Sequence, residues 1–428
     1  MGEQRVTAGA DDRHKRWRLS FIEEMRRSTP AIRLLVLTQL TFNVGFFMVL
    51  PYLSVHLTDD VGLGAAMVGV VLGIRTFSQQ GLFFVGGTLA DRWGIKPVIL
   101  IGCVVRVLGF VGFAFVDSMA GVLTATVLVG FAAALFSPAV ESAIAVEAGK
   151  SERDGGPTRV QTFALLSVCG QIGSLAGPLI GSLLLLIDFQ SACLAAAGIF
   201  VAVIVAHVRW LPSQPGEHRG ESWLSGWNEV VRNKLFVLFA LAMSAQLIAY
   251  NQLYLLLPLE VERAWGSQSV LGWYFAISAV FVVVTQLLIT RALRRLSFEV
   301  VLPVGFAVMA ASFVAVAITV PLELRGVLAL IPAAVFVVLL ALGQMIALPP
   351  ARDLVPRLAA DRRLGSYFGF MASVGGVGVL IGSAVIGAVI DAAPDTGWGA
   401  AIPWLAGALF PLAGALGLRL LSAKVARE

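Results

Sequence analysis

Long apolar runs separated by short polar stretches constrain this 428-residue chain more than any other feature of its sequence. One run covers residues 65–90 with a single formal charge, and the next begins at Pro97. A run of that length forms a helix that crosses the roughly 30 Å hydrocarbon core of a bilayer. Only 13% of the residues are charged and the mean hydropathy is +0.87, whereas about a quarter of a soluble domain is charged. The sequence therefore predicts an all-α polytopic membrane protein.

Twelve of these runs are predicted to span the membrane. Lys and Arg collect in the cytoplasmic loops of membrane proteins. With both termini cytoplasmic, 27 of the 31 basic residues lie on that side, and only Arg263 and Arg325 lie on the other. This asymmetry supports the orientation and the count, and it accounts for the net charge of +5 without a nucleic-acid partner. The predicted spans are residues 31–56, 65–90, 97–116, 119–142, 160–187, 190–212, 235–258, 268–291, 299–320, 325–350, 366–391 and 398–421.

The spans are predicted to form two pseudo-symmetric six-helix bundles. The fourth span ends near Pro138 and the tenth near Pro350, and the fifth and eleventh spans each carry three glycines at similar spacing. Duplicated bundles are typical of transporters, whose substrate site lies between the repeats. The glycines are Gly173, Gly177 and Gly181, and Gly378, Gly382 and Gly387. The predicted domains are a cytoplasmic arm (1–30), an N-terminal bundle (31–212), a central cytoplasmic loop (213–234) with a short amphipathic helix over 222–231, a C-terminal bundle (235–421) and a cytoplasmic tail (422–428).

The loop between the second and third spans has the sequence GTLADRWGIK, residues 87–96. Its two glycines allow close approach to a neighbouring helix. The pattern resembles the signature loop of the major facilitator superfamily. The resemblance implies a major facilitator fold and a conformational latch, in which Asp91 faces the amino end of a helix and the basic residues pair with Glu141 on the fourth span. The family's usual basic residue after the second glycine is Ile95 here. The latch residues are Gly87, Asp91, Arg92, Gly94, Lys96 and Glu141.

The fifth span contains the pattern G-x-x-x-G-P-x-x-G, formed by Gly173, Gly177, Pro178 and Gly181. Glycines at this spacing leave a bare ridge for close packing, and the proline frees one carbonyl group. A close-packing helix explains the glycines by themselves. With Pro178 in register, the pattern resembles the signature that exporters of the superfamily carry in this helix, which implies antiport.

Two arginines, Arg75 and Arg106, are predicted to lie about nine residues, or roughly 13 Å, inside their spans. A cation at that depth costs at least ~2.5–3.5 kcal/mol unless it is solvated or paired. They are expected either to line a cavity or pair with groups such as Gln79, or to brace neighbouring helices. Glu141 has three possible roles: latch partner, proton carrier or interfacial acid. No Asp or Glu is predicted at mid-membrane.

Polar and aromatic residues within the spans are candidates for a substrate cavity. A mostly apolar cavity with a few hydrogen-bonding groups suits amphipathic small molecules. Each of these residues could instead join two helices. The residues are Asn43, Phe46, Gln79, Gln171, Gln246, Tyr250, Asn251 and Tyr254.

Motifs for other chemistries were not found. The sequence has no phosphate-binding G-x-x-x-x-G-K-[ST] pattern and no metal-binding cluster, and its three cysteines lie in apolar spans. The protein is therefore expected to be neither an enzyme nor cofactor-dependent. Residues 73–97 and 364–370 resemble the MdtH-like branch of the superfamily's drug:proton antiporter group. That resemblance implies a monomeric exporter of amphipathic small molecules in the cell membrane, driven by proton antiport. A proton-coupled nutrient symporter and a non-transporting sensor are the alternatives.

Overall fold

A computed structural model describes residues 21–59, 61, 71, 74–75, 77–116, 118–213, 216, 223–266, 270–322, 324, 326–394 and 397–425. Every regular element within these ranges is helical. The helices are α1 (Pro30–Asp59), α2 (Phe83–Trp93), α3 (Ile95–Phe115), α4 (Met119–Arg153), α5 (Arg159–Leu184), α6 (Phe189–Trp210), α7 (Trp223–Arg232), α8 (Lys234–Asn251), α9 (Leu256–Trp265), α10 (Leu271–Leu293), α11 (Phe298–Thr319), α12 (Ile331–Leu358), α13 (Leu364–Ala392) and α14 (Ile402–Val425).

Eleven helices in this part of the chain are long and apolar enough to cross a membrane. The predicted all-α membrane fold is therefore confirmed. The predicted second span, residues 65–90, lies partly outside the described residues, and within it residues 77–80 and the first part of α2 are helical. Helix α4 continues to Arg153, eleven residues beyond the predicted end of the fourth span at residue 142. Charged residues in those last turns do not break a helix, although they end the apolar run.

The predicted seventh span is broken into α8 and α9. Pro258 has no backbone N–H, so the helix cannot donate its usual bond at that position. The chain instead turns at residues 252–255, where the carbonyl oxygen of Gln252 accepts the N–H groups of Leu256 at 3.0 Å and Leu257 at 3.1 Å. The helix then continues to Trp265, seven residues beyond the predicted end of the span.

The chain divides into two compact units. Of the residues that the structure describes, the N-terminal unit contains those within Glu24–Arg232 and Val355–Ser373, and the C-terminal unit contains those within Met1–Glu23, Asn233–Leu354 and Val374–Glu428. The predicted domain boundaries differ from these and remain a prediction of the sequence.

Helices in the C-terminal unit pack through glycines. Gly375, Gly378 and Gly382 of α13 face Leu247, Ser244 and Ile248 of α8. A methyl group built on Gly387 would contact nothing within 4 Å, so this residue is not part of the same ridge. The missing side chains leave room for those three side chains of α8, and small residues are common between membrane helices.

Candidate functional site

Asp91 lies in the last turn of α2 and binds the first turn of α13. Its Oδ1 accepts the backbone N–H of Gly365 at 2.9 Å. Its Oδ2 accepts the N–H of Ser366 at 2.7 Å and the hydroxyl of Ser366 at 2.6 Å. The first N–H groups of a helix have no partner within the helix, and its positive dipole end favours a carboxylate. We call this contact between Asp91 and the start of α13 the Asp91 clasp.

Glycines allow the clasp to form at short range. A methyl group on Gly87 would overlap the carbonyl oxygen of Gly365, and one on Gly369 would lie 2.7 Å from the carbonyl oxygen of Phe83. No residue with a side chain fits these positions unless the helices separate. Backbone contact through small residues is the usual way in which membrane helices pack tightly.

The loop that leads into α13 is strained. Ala360, Asp361 and Arg363 have φ angles of +50°, +57° and +46°. A non-glycine residue in this left-handed region costs of order 1–3 kcal/mol and persists only where its surroundings hold it. Two ion pairs hold it here: Arg159 bonds Asp361 at 2.5 Å, and Arg363 lies 2.8 Å from Glu229. The strained loop, residues 360–363, is therefore fixed by α5 and α7.

Helix α7, from the central loop, packs against both sides of the clasp. The ring of Trp227 meets Phe84 of α2 edge-to-face at 4.3 Å and Phe370 of α13 at 5.9 Å. A methyl group on Gly226 would lie 2.9 Å from the Ser366 hydroxyl oxygen. The predicted amphipathic helix at 222–231 is thus present as α7, and its apolar face is used to cover the clasp.

The two arginines predicted inside the spans both lie close to one aromatic ring. The guanidinium carbon of Arg106 is 5.0 Å from the ring centre of Phe46, and that of Arg75 is 5.7 Å from it. Arg75 is half-buried and donates a hydrogen bond to Gln79 at 3.2 Å. Arg106 is fully buried.

The sequence of this chain matches a known protein family. The profile of the Major Facilitator Superfamily matches residues 35–383. The chain belongs to this superfamily. Its members bind small-molecule substrates and transport them, so the superfamily places this chain among multi-pass membrane transporters.

Relatives and solved structures agree with the superfamily assignment. An uncharacterized MFS-type transporter of Mycobacterium tuberculosis (strain ATCC 25618 / H37Rv) is 40% identical over 367 residues, which is 84% of this chain and 86% of the relative. The multidrug resistance protein MdtH of Aeromonas hydrophila is 30% identical over 378 residues, 87% of this chain and 90% of the relative. The crystal structure of the E. coli fucose:proton symporter FucP covers 91% of this chain and 98% of that chain with a TM-score of 0.70, at 16% identity.

The remaining residues of the superfamily's signature loop occupy other places around the clasp. The Lys96 ammonium donates to the carbonyl oxygens of Val208 at 3.0 Å and Leu211 at 2.8 Å, so it caps the carboxyl end of α6. Gly94 has φ +92° and forms the corner between α2 and α3, where a side chain would be strained. Arg92 and Glu141 are half-buried on α2 and α4, and their pairing remains a prediction.

The exporter-like pattern of α5 faces α1. Methyl groups on Gly173 and Gly181 would overlap the carbonyl oxygens of Leu40 and Met48, and one on Gly177 would lie 2.9 Å from that of Val44. The Tyr52 hydroxyl donates to the Pro178 carbonyl at 2.7 Å. Close packing explains all three glycines, and the connection of this pattern to antiport remains a prediction.

The predicted cavity residues of the N-terminal unit take part in polar contacts between and within helices. The Asn43 amide donates to the Gly170 carbonyl oxygen at 2.8 Å and thereby joins α1 to α5. Gln171 accepts the Ser174 hydroxyl at 3.2 Å within α5. Phe46 is buried, and its ring centre lies 5.0 Å and 5.7 Å from the guanidinium carbons of the two arginines.

The predicted cavity residues of the C-terminal unit cluster near the break between α8 and α9. Gln246 is buried, Tyr250 meets Tyr254 edge-to-face at 6.1 Å, and Asn251 donates to the Ser383 hydroxyl at 2.9 Å. Tyr254 is mostly exposed and stacks on Phe275 at 5.6 Å. Sequence analysis missed Gln252, which is fully buried at the break. The signal was available, because Pro258 indicates an interruption about one turn and a half upstream.

Proposed function

We propose that this chain is a secondary active exporter of amphipathic small molecules, working by alternating access in exchange for protons. The observation that supports the proposal most is the Asp91 clasp, which joins the superfamily's signature loop to the start of α13 by three hydrogen bonds. The relatives named multidrug resistance protein MdtH, at 30% identity, favour export of drug-like compounds.

In this proposal the clasp is one side of a two-state switch. The contact stabilises the arrangement in which Asp91 reaches Gly365 and Ser366, and it is lost in the alternative arrangement. A ligand shifts such an equilibrium only as far as its affinity differs between the two states. Hydrogen bonds to a charged group contribute about 1.5–3 kcal/mol each, and strain in residues 360–363 works against them. The two opposing terms keep the switch within the range that a substrate or a proton can shift.

We further propose that the clasp lies on the cytoplasmic face, with both termini on that side, and that the chain acts as a monomer in the cell membrane. The distribution of Lys and Arg along the sequence supports this orientation.

Two acids are candidates for the proton carrier. Glu141 is half-buried on α4. Glu260 is buried on α9, two residues after the predicted end of the seventh span, and pairs with Arg263 through contacts of 2.9 Å and 2.6 Å. Protonation of Glu260 would weaken this bidentate pair, so proton binding would be coupled to a change in the contacts of Arg263. We favour Glu260 for this reason.

Transport by purified protein in proteoliposomes tests the proposal. A panel of lipophilic cations and amphipathic drugs is assayed with and without a pH gradient. A proton antiporter moves substrate outward while protons move inward. Substrate accumulation in the direction of proton flow would instead indicate a symporter. The structural relative FucP is a fucose:proton symporter. Saturable binding without any transport would indicate a sensor.

A further inference from the structure

Arg106 occupies an aromatic cage in the middle of α3. Its guanidinium carbon lies 4.6 Å from the ring centre of Phe42, 5.0 Å from Phe46, 5.6 Å from Phe200 and 5.9 Å from Phe110. The rings come from α1, α3 and α6, all within the N-terminal unit. With 0% exposure, this side chain is fully enclosed. It lies eleven residues, or about 16 Å, from the start of α3, and therefore near its centre.

The cage compensates for the charge of Arg106 but not for its hydrogen-bond donors. Cation–π contacts with desolvated rings stabilise a guanidinium. Within the described part of the chain, however, its three side-chain nitrogens have no hydrogen-bond acceptor. Buried donors without acceptors are costly, and ionisable groups within the membrane usually mark functional sites. If the role of position 106 were only to brace neighbouring helices, an apolar side chain of similar length would serve equally well.

A second cation, Arg75, lies 5.7 Å from the ring centre of Phe46. Arg75 is half-buried there and hydrogen-bonds to Gln79. The three helices that form the cage contain one acid, Asp59, at the end of α1 and thirteen residues from Phe46. Two guanidinium groups close to one ring, beside three helices that carry a single acid in their described residues, favour a negatively charged ligand in a region of low dielectric constant.

We infer that Arg75 and Arg106 form a binding site for an amphipathic organic anion, with Phe46 as the ring that both guanidinium groups contact. This inference rests on the proposed transport function and names its substrate class. The planar guanidinium fork of arginine binds oxyanions through two parallel hydrogen bonds. The phenylalanine rings would contact the apolar body of the ligand. A monoanion with one carboxylate or sulfonate group on an aromatic or alkyl body satisfies both parts of the site.

Binding of radiolabelled naphthalene-2-sulfonate to the purified full-length protein tests the inference, measured by scintillation proximity. Wild-type protein should bind the probe saturably. Arg106→Met and Arg75→Met should each raise the Kd at least tenfold, and Arg106→Lys should give an intermediate value because it keeps the charge and loses the fork. Arg209→Met, an exposed position at the end of α6, is the matched control and should bind within twofold of wild type.

Three results would overturn the inference: no saturable binding by wild type, an unchanged Kd in Arg106→Met, or an equal loss in Arg209→Met. Size-exclusion chromatography and thermal melting report whether each variant folds. If Arg106→Met does not fold, Arg75→Met and Arg106→Lys decide the matter by the same criteria. Failure of the proposed function is a separate result, in which wild-type vesicles move neither the anion nor a lipophilic cation in response to a pH gradient.

Discussion

Replacing Asp91 by Asn removes the charge of the clasp while keeping its size. The amide retains one oxygen, so at least one of the three hydrogen bonds is lost and an NH₂ group faces a backbone N–H. A lost bond to a charged group costs about 1.5–3 kcal/mol. Loss of the negative charge at a helix amino end adds about 0.3–1 kcal/mol. The clasp should therefore weaken by about 2–4 kcal/mol, or roughly 30- to 700-fold.

The assay is the initial rate of proton-driven export from proteoliposomes, with the amount of folded protein measured in parallel. We expect Asp91→Asn to insert normally and to export at least tenfold more slowly, since the arrangement held by the clasp is depopulated. Asp188→Asn is the matched control, because Asp188 also caps a helix, accepting the Ser191 N–H at 2.6 Å, at an exposed site before α6. Wild-type export by Asp91→Asn would refute the reasoning, as would an equal loss in Asp188→Asn.

A double-mutant cycle separates the clasp from a general loss of stability. Ser366→Ala removes only the hydroxyl contact to Asp91. If both substitutions act through the clasp, their effects on export should be clearly less than additive. Additive effects would place the two residues in independent roles.

Four further substitutions test other parts of the account. Ala360→Gly should relieve left-handed strain and raise the free energy of unfolding by about 1 kcal/mol or more in a denaturant titration; a loss of stability would contradict the strain. Gly87→Ala should insert but export more slowly, because its methyl group overlaps the Gly365 carbonyl at an expected cost of about 1–3 kcal/mol; normal export would show that the helices can separate freely. Asp361→Asn, with a mostly exposed acid, should cost no more than about 1 kcal/mol in the same titration. Glu260→Gln should abolish the dependence of export on the pH gradient, and an unchanged dependence would exclude Glu260 as the proton carrier.

Hydropathy predicted the helices well because each apolar run must span the same bilayer thickness. Hydropathy did not predict the extent of the helix at two places. The last turns of α4 are polar yet helical, and the seventh span is interrupted at Gln252 although its sequence stays apolar. The proline at position 258 was the sequence signal for the interruption at Gln252.

The position of Asp91 against a helix amino end was predicted only through the family resemblance. The sequence around Asp91 does not predict Gly365 and Ser366 as its hydrogen-bond partners, since they lie more than 270 residues away. The left-handed loop was not predicted either, because Ala360 and Arg363 carry no turn signal. Tertiary contacts impose their conformation. The aromatic cage of Arg106 likewise depends on rings from three helices, whose rotation about their axes hydropathy does not determine.

Reversible opening of the clasp is the central claim, and a distance measurement tests it most directly. Spin labels at Trp93→Cys and Arg362→Cys, both exposed positions beside the clasp, are measured by pulsed electron paramagnetic resonance in nanodiscs, after the buried Cys103, Cys169 and Cys193 have been replaced by Ala. We predict two distance populations whose ratio changes between acidic and alkaline pH, with the shorter one lost in Asp91→Asn. One distance distribution that is unchanged by pH and by Asp91→Asn would contradict the account.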